Sequence, residues 1–110
     1  SIKENGEDYI LTSKRICEYT SLYVNEADRN SPYFAPLLSE SFSNQPKTLV
    51  VTAEFDPLRD EADIFASILQ RAGVPTTHIQ TKSTMHGFDM VQRSPITQRQ
   101  IECRCDFLKW

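Results

Sequence analysis

The stretch that most limits how this chain can fold runs from Thr48 to Glu61: Thr-Leu-Val-Val-Thr-Ala-Glu-Phe-Asp-Pro-Leu-Arg-Asp-Glu. Its run Leu49-Val50-Val51 is apolar without interruption and rich in β-branched residues. That pattern predicts a strand buried on both faces, as in a parallel sheet. The strand must stop at Phe55-Asp56-Pro57, because Pro57 has no N–H for the ladder and drives Asp56 into an extended or turn conformation. Asp56 is thereby presented just past the carboxyl end of a strand, where open α/β sheets carry their functional groups. Asp60 is expected to cap the helix that follows, with Glu61 in its first turn.

From Glu61 to Ala72 the apolar residues Ala62, Phe65, Ala66, Leu69 and Ala72 recur at helical spacing and define one core-facing stripe. Gly73 serves as the C-cap and Pro75 prevents the helix from resuming. Thr76 to Thr81 is β-branched and polar, which suits a strand near a sheet edge. Strand, helix and strand in this order form a βαβ unit, with parallel strands and a right-handed crossover. Neighbouring parallel strands lie about 4.8 Å apart, so the segments that follow them emerge side by side. Asp56 follows the first strand and His86, in Met85-His86-Gly87-Phe88, follows the second. The topology therefore brings a carboxylate and an imidazole to one rim.

An imidazole is a general base near neutral pH, and a carboxylate on its other nitrogen fixes the tautomer and stabilises the imidazolium. Plainer roles exist for both residues. Asp56 could simply close an Asx turn before Pro57, and His86 could bond to backbone. Gly87 argues for a special backbone conformation beside the histidine, with Met85 and Phe88 supplying apolar surface around it. His78 falls on a polar strand face and is expected to be exposed. Glu54, Asp56, Asp60, Glu61 and Asp63 are numerous enough to suggest Mg²⁺. Asp60, Glu61 and Asp63, however, fall in the first turn of a helix, where carboxylates favour the helix dipole, and no phosphate-binding loop accompanies them. No metal or other cofactor is implied. Arg59 is expected to pair with one of these acids.

The order acid then base on successive strands is that of an α/β-hydrolase after its nucleophile. Asp56-Pro57-Leu58-Arg59-Asp60-Glu61 followed by His86-Gly87-Phe88 resembles the C-terminal part of the hormone-sensitive-lipase-like esterases. So does Ser31-Pro32-Tyr33-Phe34-Ala35-Pro36-Leu37-Leu38 ahead of the strand. The resemblance extends from about Tyr9 to the end of the chain. It implies a serine carboxylester hydrolase, with Asp56 matching the acid and His86 the base of a Ser-Asp-His catalytic triad. Its substrates would be short- or medium-chain acyl esters. Such enzymes also carry Gly-x-Ser-x-Gly at a strand-to-helix elbow and a His-Gly-Gly run for the oxyanion hole. The glycines here are Gly6, Gly73 and Gly87, and none is arranged that way. The chain thus matches the last third of such an esterase, a fragment expected to be inactive alone. The alternative is a non-catalytic small-molecule binding protein on the same fold. Gibberellin receptors resemble this family but lack the catalytic histidine, so His86 favours the enzyme.

The expected fold class is α/β: the C-terminal βαβα part of an α/β-hydrolase sheet with parallel strands and flanking helices. Residues 1–110 form one segment of a single domain. Within it, 1–47 hold a helix and a long loop, and 48–110 hold the strand-helix-strand-helix unit. Ser1 to Tyr9 reads as a loop. A helix after Ile10, capped by Thr12 or Ser13, places Ile16, Tyr19, Thr20 and Tyr23 on one stripe, with Ile16 and Tyr23 expected against the sheet or the aromatics lining an acyl pocket. Asn25 to Asn44 is irregular and too long for an idle connection. Ser94 and Pro95 start a last helix in which Ile101, Cys105 and Leu108 are expected to face the core and to lock the His86 loop.

A net charge of −3 offers no basic patch, so nucleic acid is a poor partner. No apolar run approaches the roughly 20 residues of a membrane span, and no signal peptide opens the sequence. Cys17, Cys103 and Cys105 are odd in number and unsuited to a local disulfide or zinc, so buried or half-buried free thiols and a cytoplasmic setting are expected. A lone pair of strands leaves an open sheet edge, from which a homodimer is expected.

Overall fold

The computed structural model describes residues 1–109. Strands β1 (Thr48–Phe55) and β2 (Thr76–Met85) pair in parallel, and helix α3 (Arg59–Arg71) connects them. The α/β class and the parallel pairing are as expected. Helix α3 packs on both strands through Ala66 and Leu69, which are buried, while Ala62, Phe65 and Ala72 are half-buried on the same stripe. It closes in a Schellman motif: the Gly73 N–H donates to Gln70 O and the Val74 N–H to Leu69 O. Gly73 supplies the required left-handed backbone at φ +81.

Three boundaries differ from the sequence-based expectation. Helix α3 begins at Arg59, so Asp60 lies inside its first turn and is not the cap. The Asp60 carboxylate instead contacts the amino group of Ser1 and the Arg59 guanidinium. Ser1 in turn belongs to a short helix, α1 (Ile2–Asn5), where a loop was expected. Strand β2 continues four residues past Thr81, because pairing resumes at Met85, opposite Phe55, after an irregularity.

The apolar run of β1 is less enclosed than a two-sided strand. Thr52 and Ala53 are buried, whereas Leu49, Val50 and Val51 are half-buried. Helix α2 (Ser13–Tyr23) is capped by the Thr12 side chain, which accepts from the Arg15 N–H at 3.2 Å. Its stripe does not pack as expected. Ile16 is half-buried, but Tyr19 and Tyr23 stand exposed, and the Tyr23 ring leans on Phe34 at 6.1 Å between centroids. Residues 25–44 contain two 3₁₀ turns, Glu26–Asp28 and Pro36–Leu38.

Helix α4 (Pro95–Leu108) follows Ser94 at the N-cap position, with Pro95 in its first turn as anticipated, but the Ser94 hydroxyl makes no capping hydrogen bond. The buried residues, however, are Thr97 and Gln100, while Ile101, Cys105 and Leu108 point to solvent. Polar anchors decide this rotation. The Thr97 hydroxyl donates to Phe88 O at 3.0 Å, and the Arg104 guanidinium meets Asp89 at 3.1 Å. Both anchors lie on the turn after His86, so α4 does brace the histidine loop. Cys103 is half-buried and Cys17 and Cys105 are exposed, so the thiols are free but less sheltered than expected.

Candidate active site

Asp56 leaves β1 directly after Phe55, and the Asx turn it forms orients its carboxylate. Its Oδ1 accepts the Leu58 N–H at 2.9 Å. Pro57, fully buried, fixes the turn between them. The other oxygen, Oδ2, lies 2.9 Å from Nδ1 of His86. The capping role and the pairing role were rivals in the sequence; the structure shows Asp56 filling both, one oxygen each.

His86 leaves β2 directly after Met85, and Met85 is the register partner of Phe55. Gly87 follows in the left-handed region at φ +74 and turns the chain into the 3₁₀ segment Phe88–Met90. A carboxylate only accepts hydrogen bonds, so the Nδ1 that faces it carries the proton. The lone pair of the neutral ring then resides on Nε2. The Asp56 side chain is 14% exposed and that of His86 40% exposed. The acid is sheltered and the imidazole reaches the surface, which is the arrangement a base needs to act on a group that arrives from outside.

The neighbouring charges are occupied elsewhere. Arg59 donates to Glu54 O at 2.8 Å and meets Glu4 and Asp60, each at 3.0 Å. The Glu4 hydrogen bond is the main reason its guanidinium is held above the ordinary arginine value, with Asp60 adding to it. Asp60 is lowered chiefly by its contact with the Ser1 amine and then by Arg59. Glu54 accepts the Ser83 N–H at 2.7 Å and faces Lys82 at 3.5 Å. Glu54 and Asp60 are thus engaged with different partners, Glu54 with Ser83 and Lys82 and Asp60 with Ser1 and Arg59. His78, expected to be exposed, is instead half-buried, with Nε2 3.0 Å from Asp63 Oδ1 and 3.3 Å from the Thr52 hydroxyl. Sequence reasoning missed this pair. The signal was the position of Asp63 on the α3 face that crosses β2.

A family model described as the alpha/beta hydrolase fold matches residues 1–90. The chain belongs to the alpha/beta hydrolase fold family. Among curated relatives, an arylesterase of Saccharolobus solfataricus is 43% identical over 103 residues, covering 92% of this chain and 33% of that protein. An ethyl acetate hydrolase of Pseudomonas putida is 33% identical over 89 residues, 80% of this chain and 28% of that protein. Among solved structures, a hyperthermophilic esterase from Pyrobaculum calidifontis superposes with a TM-score of 0.88 at 28% identity, over 96% of this chain and 35% of that one. These relatives are esterases, in line with the resemblance to the hormone-sensitive-lipase-like group. The chain spans about a third of the length of the relatives it matches.

Proposed function

We propose that this α/β-hydrolase chain supplies the acid and the base of a serine carboxylester hydrolase. Asp56 is the acid and His86 the base of a Ser-Asp-His triad. The carrying observation is the 2.9 Å contact between Asp56 Oδ2 and His86 Nδ1, made by a carboxylate whose other oxygen is tied to backbone. With Nδ1–H held by Asp56, Nε2 accepts the proton of a serine hydroxyl as that oxygen attacks an ester carbonyl. The same nitrogen then protonates the departing alkoxide, and a water replaces the alcohol for deacylation. The imidazolium formed in each step is stabilised by Asp56. The nucleophile and the oxyanion donors come from sequence outside this chain, since no serine here follows the strand-turn-helix elbow pattern. The ethyl acetate hydrolase among the relatives supports short acyl esters as substrates, and medium-chain esters follow from the family resemblance. The setting is cytoplasmic, and no cofactor takes part.

Hydrolysis of 4-nitrophenyl acetate and butyrate tests this reading. In a protein containing this chain and the upstream serine, His86→Ala lowers kcat on the order of 10⁴-fold, and Asp56→Asn nearly as much. Near-unchanged turnover in His86→Ala removes the assigned base. The 110-residue chain alone gives no hydrolysis above buffer; turnover by it would place a nucleophile within it.

A further inference from the structure

The pairing of Asp56 with His86 depends on an irregularity one turn earlier in the ladder. Along most of its length β1 pairs with β2 in a constant register, from Thr48 opposite Thr76 to Ala53 opposite Thr81. The next partners are Phe55 and Met85, so β1 advances by two residues where β2 advances by four. Carried on without that shift, the register would set Thr84 beside Asp56. With it, the residue beside Asp56 is His86. The bulge therefore selects which side chain meets the acid.

Something must hold it in place, because Ser83 sits at φ +57, a backbone region that a residue with a Cβ avoids. Two side chains do so. The buried Thr84 hydroxyl donates to Thr81 O at 2.7 Å, closing the loop of the bulge on itself. The Glu54 carboxylate, from the opposite strand, accepts the Ser83 N–H at 2.7 Å. Glu54 lies in the two-residue interval of β1 where the register changes, and its own carbonyl is clamped by Arg59 Nη1 at 2.8 Å. The Ser83 N–H is the main reason its carboxyl lies below the ordinary glutamate value, with Lys82 and then Arg59 adding to it. It thus remains an ionised acceptor where an imidazole titrates.

We propose that Glu54 is a positioning residue for the acid–base pair: its carboxylate fixes the bulge at Ser83 and so brings His86 into register with Asp56. The proposal rests on the catalytic reading of that pair only for its consequence; the geometric part stands on the register alone. A residue whose removal merely loosened the strand would lower stability without changing which imidazole nitrogen is protonated.

The test is the tautomer of His86, read from two-bond ¹⁵N–¹H spectra of the 110-residue chain at a pH where the ring is neutral, together with hydrogen exchange at the Ser83 amide. The unmodified chain shows Nδ1–H, the less favoured form in free histidine, and a protected Ser83 amide. Glu54→Ala shifts His86 to the Nε2–H form and exposes the amide, whereas Glu54→Gln, which keeps an oxygen acceptor, retains both signals. Lys82→Ala, which removes only the surface cation, changes neither. Nδ1–H persisting in Glu54→Ala overturns the proposal. If Glu54→Ala does not fold, Glu54→Gln decides: an unprotected Ser83 amide with Nδ1–H intact overturns it, and joint retention supports it. Nε2–H in the unmodified chain removes the Asp56–His86 pair itself, and with it the catalytic reading. In the complete enzyme, Glu54→Ala lowers kcat about 10²-fold with KM unchanged, the size expected of a misplaced catalytic group.

Discussion

Two glycines carry the backbone through the left-handed region, and their surroundings differ in a way that can be measured. Around Gly73 (φ +81) a Cβ would meet no atom within 4 Å, so Gly73→Ala isolates the conformational term. It should lower unfolding stability by about 1 kcal/mol, read from chemical denaturation. At Gly87 (φ +74) a Cβ would come within 2.7 Å of Met90 Cε, the mobile end of a long side chain. Gly87→Ala should therefore lose about as much stability as Gly73→Ala, since the methionine can swing aside. A loss several-fold larger at Gly87 would mean that Met90 is pinned. Asp56 shows the same economy at one residue: the oxygen that closes the turn also prevents the carboxylate from rotating away from His86.

At the level of elements, α4 is held by hydrogen bonds more than by an apolar stripe. Thr97 is fully buried and donates to Phe88 O, so Thr97→Val, nearly isosteric, leaves that carbonyl without its partner. A loss of about 1–2 kcal/mol in thermal or chemical unfolding is expected; an unchanged midpoint would show that the helix needs no such anchor. The rotation of α4 was not legible in the sequence because Ile101, Cys105 and Leu108 satisfy helical periodicity as well as Thr97 and Gln100 do. Periodicity counts apolar residues and is blind to a threonine whose hydroxyl has a carbonyl to meet. Helix α2 failed in the same manner, with Tyr23 on a helical stripe yet exposed. By contrast β1, α3 and the Gly73 stop were legible, because Pro57, Gly73 and Pro75 punctuate the chain by covalent geometry, whatever surrounds them. The juxtaposition of Asp56 and His86 followed from that βαβ unit. The β2 bulge did not: Lys82 and Ser83 carry no turn signature, and the left-handed serine is held by a glutamate on another strand.

For the whole molecule, the radius of gyration of 15.2 Å exceeds the ~13 Å of a compact domain of this length. Among the described residues the buried apolar side chains are few: Leu11, Ala53, Pro57, Ala66, Leu69 and Val74. Large apolar groups stand in water, among them Leu22 at 85% and Tyr33 at 100% exposure. Among the described residues each strand of the two-stranded sheet also keeps one unpaired edge. Surfaces of this kind favour pairing with another chain, and we expect the protein to form dimers or larger species as concentration rises. Sedimentation velocity across a dilution series reads this directly, and a single monomeric boundary at high concentration would contradict it. The parallel βαβ unit has a last consequence for control. Asp56 and His86 ride on one short, continuous piece of polypeptide, so a hinge or lid elsewhere in a larger assembly would move the two together and could not easily uncouple them. On the proposed acid–base reading, such a motion would leave the Asp56–His86 contact made and interrupt only its access to the attacking oxygen.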